Sequence, residues 1–324
     1  MPRALITGAA GFVGRWLARA LVERGWDVTG AALEAPDDDT LRGVRWVTGD
    51  VRDAAHLTHS VDAARPDAIF HLAGITFVPA AGNDPGMTAE VNVVAAARLL
   101  GVARERLRAG TLDPVVLVTG SAEQYGRHDA SELPLRETAE QRPHTVYAAT
   151  KVAQEAVALA AWRADGVRVI ATRSFNHSGP GQASHFLLPA LVDRVRALRV
   201  SRGAPLVLGN QSPVRDYLHV SDVVAAYIAL AERGTPGEVY NVASGCGTSV
   251  GELARRVLER AGVDAPLASD PALVRPVDVS ALVGDSTKLR AATGWWPRRT
   301  LDDLLDDLLD DLIALHTSHP DAAS

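Results

Sequence analysis

The chain has 324 residues, of which 47% are hydrophobic, and a formal net charge of −6. This length and apolar content allow one large domain or two modest ones, each with a buried core. The six aspartates of residues 301–312 account for the acidic excess, so the rest of the chain is nearly balanced. This balance argues against nucleic acid or an anionic membrane as a partner.

The single cysteine, Cys246, excludes an internal disulfide and a cysteine-built metal centre, and we predict no metal site. It also fits a reducing compartment. The N-terminus lacks the charged and then apolar pattern of a signal peptide, and no apolar run approaches ~18–20 residues. We therefore expect a cytoplasmic protein that is water-soluble and has no membrane partner.

Short apolar runs alternate with helical periodicity through the first half of the chain. The runs lie at residues 3–7, 27–33, 45–48, 67–73, 115–119 and 167–173. Such alternation predicts an α/β fold in which helices cover both faces of a parallel sheet. We assign residues 1–175 to this doubly wound, Rossmann-type domain. Residues 176–324 are predicted to form mainly a smaller mixed α/β part that contacts a ligand, with the chain crossing between the two.

The last predicted element is an amphipathic helix at residues 301–316. Its leucines recur at helical spacing and its aspartates occupy the other face. We interpret it as a closing helix that packs on its own domain. A helix that binds a partner is the alternative.

A glycine-rich turn joins the first predicted strand to the first helix. In "TGAAGFVG" (7–14) the glycines are Gly8, Gly11 and Gly14. Glycines let such a turn close tightly and let the backbone approach a pyrophosphate at the positive end of the helix. Because the motif follows a strand and opens a helix, it predicts a dinucleotide site rather than a purely structural turn.

The residue that follows the second strand bears on the choice of dinucleotide. Glu34 is the first polar group there, and no Arg or Lys follows until Arg42. A carboxylate can accept hydrogen bonds from ribose hydroxyls and would repel a 2′-phosphate, which favours NAD over NADP. NADP stays open because an arginine from elsewhere could supply the charge. Asp50 and Val51, in "GDVRD", could border the adenine or could form a simple turn.

Two further stretches place reactive side chains near the ends of predicted elements. Tyr147 and Lys151 in "VYAATK" lie four residues apart at the start of a helix, and therefore on one face. A nearby ammonium favours the phenolate, so we expect Lys151 to lower the pKa of Tyr147. In "GSAEQYG" (120–126), Ser121 and Glu123 point to the same side of an extended backbone.

Taken together, these motifs resemble the extended short-chain dehydrogenase/reductase family over essentially the whole chain. "PDAIFHLAG" (66–74), "RDYLHVSDV" (215–223) and "VYNVASG" (239–245) strengthen the resemblance. It implies NAD or NADP as cofactor, a nucleotide sugar as substrate, and a Ser-Tyr-Lys triad at Ser121, Tyr147 and Lys151. In that interpretation Tyr147 exchanges a proton with a sugar oxygen while a hydride moves between sugar and nicotinamide.

The resemblance also implies contacts beyond the triad, and a homodimer formed through the helices at residues 88–108 and 147–165. The implied cofactor contacts, besides the glycines, Glu34, Asp50, Val51, Tyr147 and Lys151, are Phe12, Val13, Leu72, Ala73, Gly74 and Phe175. The implied substrate contacts are Thr76, Ser121, Glu123, Asn176, His177, Gln182, Arg215, Arg275 and Asp278.

Two stretches of the second half narrow the resemblance to the nucleotide-sugar branch. Residues 275–297 resemble a segment shared by GDP-mannose 4,6-dehydratases and GDP-4-keto-6-deoxy-D-mannose reductases, and "SFNHSGPGQ" (174–182) resembles the reductase version of its loop. We therefore predict reduction of the 4-keto group of a GDP-4-keto-6-deoxyhexose. The alternatives are a 4,6-dehydratase with Glu123 as the base, a 4-epimerase, and a non-catalytic scaffold that senses a dinucleotide.

Overall fold

A seven-stranded parallel sheet forms the centre of the computed structural model, which describes residues 1–201, 203–274 and 279–317. Its strands lie in the order β3-β2-β1-β4-β5-β6-β10. Their bounds are β1 Arg3–Thr7, β2 Asp27–Ala32, β3 Val44–Thr48, β4 Ala68–His71, β5 Val115–Ser121, β6 Val169–Ser174 and β10 Val239–Val242. The strand order reverses between β1 and β4, the topological switch point at which open α/β sheets bind ligands.

Helices cover both faces of this sheet, so the predicted doubly wound fold is confirmed. The helices are α1 Phe12–Glu23 and α8 Val220–Arg233 on one face, with α2 Ala54–Ala64, α5 Ala95–Arg108 and α6 Val146–Asp165 on the other. The inner strands read as near-continuous apolar runs because both of their faces are buried, whereas the edge strand β3 is partly exposed. Ala4, Leu5 and Ile6 of β1, for example, are fully buried.

The helix that spans Pro85–Arg108 is long and apolar enough to cross a membrane by length and composition. It comprises a short α-helical turn, a wider π-helical turn at Glu90–Val94, and α5. Leu99 and Val102 lie in the core that α5 shares with α2 and α6. Burial of this face is typical of a core helix in a globular protein.

The smaller part holds a four-stranded sheet, a two-stranded sheet and packed helices. The remaining elements are α3 Val78–Asn83, α4 Pro85–Ala89, β7 Asn176–Ser178, α7 Leu187–Val200, β8 Leu206–Leu208, β9 Val214–His219, β11 Gly247–Ser249, α9 Val250–Arg260, β12 Leu267–Ser269, β13 Ala281–Leu282, α10 Thr287–Thr293 and α11 Leu301–Thr317. Strand β9 pairs with β7, β11 and β13, which ties this sheet together. Most of these elements lie beyond residue 175.

The C-terminal helix α11 packs on the smaller part as the predicted closing helix. Leu304, Leu305 and Leu308 are buried in one cluster with leucines of α7 and α9. On the polar face, Asp302 and Asp306 pair with arginines of α9. These two aspartates are therefore held in ion pairs within the chain.

The chain crosses back into the central sheet after the smaller part has begun. Strand β10 pairs with β6 in parallel, and α8 packs on the same sheet face as α1. Trp295, further along, is buried in that same cluster. The two parts therefore share one hydrophobic core. This shared core holds the carboxyl edge of the sheet against the loops of the smaller part.

Candidate active site

The glycine turn after β1 forms a tight cradle that leaves room only for backbone. Gly8 adopts φ 71°, and a Cβ added to it would lie 2.9 Å from the Cα of Ala73. A Cβ on Gly14 would collide with the carbonyl oxygen of Gly8. Helix α1 begins at Phe12 with Gly11 as N-cap and no side chain capping its first turn. The amides and positive end of α1 therefore face a cradle that fits a dinucleotide pyrophosphate.

A carboxylate and a guanidinium meet beyond the end of β2, where the adenosine ribose of such a dinucleotide would lie. Glu34 is exposed there. Arg15, which follows Gly14, forms an ion pair with Asp38 at 3.0 Å. A hydrogen bond from Thr40, aided by Arg15 and Arg19, holds the pKa of Asp38 below its usual range. The sequence prediction considered Glu34 and missed this pair.

Asp50 and Val51 follow β3 as predicted. The carboxylate of Asp50 accepts hydrogen bonds from Arg52, including one of 2.6 Å, and Val51 packs against the core. The hydrogen bonds from Arg52 hold the pKa of Asp50 below its usual range. This turn is thus ordered by its own residues, and it borders the same edge of the sheet as the glycine cradle.

Ser121 is the last residue of β5 and also caps the single 3₁₀ turn Ala122–Gln124. Its Oγ accepts a hydrogen bond of 3.2 Å from the backbone N–H of Glu123. A serine hydroxyl that accepts in this way still has its own hydrogen to donate. Glu123 is half-buried beside it.

Tyr147 and Lys151 lie on the buried face of α6, with Tyr147 8% and Lys151 3% exposed. Thr145 caps this helix by accepting from the N–H of Ala148 at 3.1 Å. The Ser121 side chain lies close enough to the Tyr147 phenol to lower the pKa of that phenol. The structure thus places Ser121 close to Tyr147, although the two belong to different elements, and Lys151 lies one helical turn after Tyr147 on the buried face of α6.

The protonation of Tyr147 differs from the sequence expectation. Burial raises the pKa of Tyr147 to about 12; the nearby Ser121 side chain lowers it, while Glu123 raises it further. The expected lowering of the Tyr147 pKa is therefore wrong for this structure, because burial is the largest cause of the shift and raises the pKa. At neutral pH the phenol is protonated and can act as a proton donor.

Lys151 is held by two acceptors at the carboxyl end of the sheet. Its Nζ donates to the carbonyl oxygen of Thr119 and to Oε1 of Gln154, each at 2.8 Å. Burial lowers the pKa of Lys151 to about 8, so the ammonium is still charged at neutral pH. A Cβ on Gly74 would lie 3.6 Å from this Nζ, which places the loop after β4 beside the lysine.

Asn92 is a buried polar residue that the sequence analysis missed. It lies in the π-helical turn; its Oδ1 accepts from the N–H of Ile75 at 2.8 Å and its Nδ2 donates to Thr150 Oγ1 at 3.0 Å. It thereby ties the loop after β4 to α6 next to Lys151. The only signal in the sequence is a lone asparagine within an otherwise apolar stretch.

The predicted substrate loop after β6 is ordered by its own side chains. Gln182 accepts from Ser178 Oγ at 2.6 Å and donates to the carbonyl oxygen of His177 at 3.2 Å. The His177 ring stacks on Phe12, with 6.5 Å between centroids, so this loop reaches the start of α1. Asn176 is half-buried on β7, which pairs with β9.

Arg215 lies on β9, where its guanidinium donates to the carbonyl oxygen of Val279 at 2.7 Å. Its neighbour Asp216, which the sequence analysis did not single out, is fully buried. The Asp216 carboxylate accepts from backbone or hydroxyl groups of Ser244, Gly245 and Gly284. Asp216 therefore fixes two loops beside Arg215.

The other predicted contacts lie around this edge with different exposure. Thr76 is exposed in the loop after β4, Leu72 is half-buried, and Val13 packs against the core. Phe175 is 1% exposed and packs with Tyr125 in a core cluster, which makes it a support rather than an open surface. Arg275 and Asp278 lie outside the described residues. Within the described ranges, no group of three or more His, Cys, Asp or Glu side chains could hold a metal ion.

In a comparison with known proteins, residues 5–308 match the family model described as GDP-mannose 4,6 dehydratase. The chain belongs to this family. It is 34% identical to the GDP-6-deoxy-D-mannose reductase of Pseudomonas aeruginosa over 241 residues, which are 74% of this chain and 78% of the relative.

Two solved structures illustrate how this family member compares in three dimensions. RMD from Pseudomonas aeruginosa, complexed with NADPH, superposes with a TM-score of 0.81 at 30% identity, covering 97% of this chain and 99% of RMD. The UDP-glucose 4-epimerase of Thermus thermophilus, complexed with NAD, has a TM-score of 0.84 at 27% identity and covers 96% of this chain and 99% of its own. The fold of the chain is thus that of extended short-chain dehydrogenase/reductases.

Proposed function

We propose that the chain is an NAD(P)H-dependent reductase that acts on the 4-keto group of a GDP-4-keto-6-deoxyhexose. The observation that carries the proposal is a protonated Tyr147 with the Ser121 side chain close to it, beside a cradle that fits a dinucleotide. A protonated phenol is the form required to give a proton to a carbonyl oxygen. The similarity to a GDP-6-deoxy-D-mannose reductase supports the choice of substrate.

Each of the three residues has a distinct task in this proposal. The bound nicotinamide supplies the hydride. Tyr147 gives its proton to the oxygen that becomes the hydroxyl, and Ser121, whose Oγ accepts from the N–H of Glu123, donates its single hydroxyl hydrogen to that same oxygen. Lys151, with two of the three donors of its ammonium engaged by Thr119 and Gln154, holds a positive charge beside the cofactor.

The cofactor contacts are proposed from the cradle and its surroundings. Gly8, Gly11 and Gly14 leave space for the pyrophosphate, with Phe12 and Val13 opening α1 behind it. We infer a preference for NAD over NADP because Asp38 already neutralises Arg15, so a 2′-phosphate would meet a carboxylate.

The substrate contacts are proposed from the loops of the smaller part. Asn176 lies on β7, and the loop that Gln182 orders follows this strand. Arg215 lies on β9, which pairs with β7. An arginine suits a diphosphate because its planar guanidinium can make paired hydrogen bonds to phosphate oxygens. Arg215 is therefore the proposed diphosphate ligand.

A 4,6-dehydratase is the second candidate, and Glu123 is the observation that favours it. This carboxylate lies two residues after Ser121 and close enough to Tyr147 to raise the pKa of the phenol. A dehydratase must remove a proton from carbon, which a reductase does not. Glu123→Gln should abolish turnover in a dehydratase and merely slow it in a reductase.

The experiment that separates these functions measures redox stoichiometry. Purified protein is incubated with GDP-mannose, GDP-4-keto-6-deoxymannose or UDP-glucose, with and without NADH or NADPH, and products are identified by NMR. We expect one reduced cofactor consumed per keto sugar. Conversion of GDP-mannose without added cofactor indicates the dehydratase, and conversion of UDP-glucose to its 4-epimer indicates an epimerase.

We also infer a cytoplasmic homodimer that binds neither nucleic acid nor membrane. An open apolar groove runs between α4 and α6 on the face turned away from the sheet. It is lined by Pro85, Ala89, Val93, Val94, Val146, Ala149, Thr150 and Ala153. A second copy related by a two-fold axis would cover this groove with the same residues. Sedimentation should give a dimer for the parent chain and a monomer for Ala153→Arg.

A further inference from the structure

A buried carboxylate lies two helical turns beyond Tyr147 on the same face of α6. Glu155 is 7% exposed and stands four residues after Lys151. It forms an ion pair with Arg173 of β6, which is 6% exposed, at 2.7 Å. Buried ion pairs are costly to form. We therefore ask which neighbouring groups the Glu155–Arg173 pair holds in place near the triad.

The two oxygens of Glu155 accept hydrogen bonds from three side chains. Oε1 accepts from Gln141 and Arg173, both at 2.7 Å. Oε2 accepts from Gln124 and Arg173, both at 2.9 Å. The carboxylate is therefore saturated by donors that come from separate segments of the chain.

Gln124 carries this connection to the Ser121 turn. It is fully buried, and its Oε1 accepts the backbone N–H of Ser121 at 2.8 Å while its Nε2 donates to Glu155. A carboxylate can only accept and a backbone N–H can only donate, so one orientation of the amide satisfies both. Glu155 thus dictates that the oxygen of Gln124 faces Ser121.

Gly120 makes this close approach feasible. A Cβ at this position would collide with Oε1 of Gln124 and with the carbonyl oxygen of Thr172. A residue with any side chain would push Gln124 away from Ser121. Gly120, the first residue of "GSAEQYG", is therefore part of the same set of contacts as Gln124 and Glu155.

We propose that Gln124 and Glu155 are positioning residues that fix the Ser121 hydroxyl against Tyr147. The helix that carries the phenol also carries the carboxylate that orients Gln124, so Ser121 is held in register with Tyr147 by one rigid element. This inference rests on the proposed catalytic roles of Ser121 and Tyr147. Loss of the connection lets the Ser121 turn move while the buried ion pair of Glu155 and Arg173 stays in place.

The test compares two substitutions that each remove one hydrogen bond to Glu155. Gln124→Met breaks the link to Ser121. Gln141→Met is the matched control, because among the described residues its amide has no hydrogen bond with the Ser121 turn. Rates are measured with NADH or NADPH and GDP-4-keto-6-deoxymannose made from GDP-mannose by a separate dehydratase.

We expect Gln124→Met to lower kcat about tenfold with KM within about twofold, and Gln141→Met to change kcat less than about twofold. The pH dependence of kcat gives a second readout that a merely structural role would not move. Because the Ser121 side chain lowers the pKa of Tyr147, the alkaline limb of the kcat profile should move to higher pH in Gln124→Met and stay in place in Gln141→Met. Equal effects of the two variants overturn the proposal.

A double substitution separates this inference from the proposed function. In a Ser121→Ala background, Gln124→Met should change kcat less than about twofold, because its effect passes through Ser121. An undiminished penalty in that background overturns the positioning role alone. If Ser121→Ala by itself leaves kcat unchanged, the proposed function fails and the inference fails with it. Should Gln124→Met not fold, Gln124→Asn, which is too short to span both contacts, replaces it.

Discussion

The buried ammonium of Lys151 has a consequence for stability that can be measured without any substrate. Its pKa lies at about 8 in the folded chain because burial disfavours the charged form, against 10.5 for the unperturbed group. At neutral pH the folded protein therefore keeps a charge that the unfolded chain would solvate better. Lys151→Met removes this charge while keeping a similar length.

The size of the effect follows from the difference of the two pKa values. A lowering from 10.5 to about 8 corresponds to about 3 kcal/mol. Below pH 8 both states are charged and the cost is fully present. Between about pH 8 and 10.5 the unfolded chain binds a proton that the folded chain has released, so stability rises with pH. Above 10.5 both states are neutral and the cost is gone.

Urea unfolding of the cofactor-free protein from pH 7 to pH 10.5 tests this reasoning. Other titrating groups contribute equally to the parent chain and to Lys151→Met, so they cancel in the difference. From pH 7 to pH 10.5 we expect the free energy of unfolding of the parent chain to rise by about 3 kcal/mol relative to that of Lys151→Met. A difference that stays constant with pH would refute the assignment of a destabilised ammonium to Lys151.

Three further substitutions test other parts of the account. Tyr147→Phe should lower kcat by about 10²-fold or more without changing the unfolding temperature, because it removes only the proton donor; steady-state rates and calorimetry check this. Asp38→Ser should raise the ratio of kcat/KM for NADPH over NADH several-fold, since Arg15 is then free to face a 2′-phosphate. Leu304→Ala should lower the free energy of unfolding, measured in urea, by about 2–5 kcal/mol because this side chain of α11 is fully buried against α7 and α9.

Local patterns in the sequence were enough to predict most of the central sheet. Six strands lie where the apolar runs indicate them, and α1 begins where the glycine turn ends. The seventh strand, β10, escaped prediction because Val239–Val242 is short and reaches the sheet only by crossing back from the smaller part. Its place is set by tertiary packing rather than by a local signal.

A candidate triad could be proposed from the sequence because Tyr147 and Lys151 lie one helical turn apart and Ser121 ends a strand. Asn92, Gln124 and Asp216 could not, since each gains its meaning from partners brought together by the fold. The direction of the Tyr147 pKa was also mispredicted. Spacing reveals that a lysine is near, but it does not reveal how completely both groups are buried.

One isotope experiment tests the central claim most directly. The protein is incubated with GDP-4-keto-6-deoxymannose and reduced cofactor deuterated at C4 of the nicotinamide, and the product is examined by NMR. With both C4 hydrogens of the nicotinamide replaced by deuterium, we expect one deuterium at C4 of a GDP-6-deoxyhexose for each cofactor oxidised. A product without deuterium at C4, or water loss from GDP-mannose with no added cofactor, would contradict it.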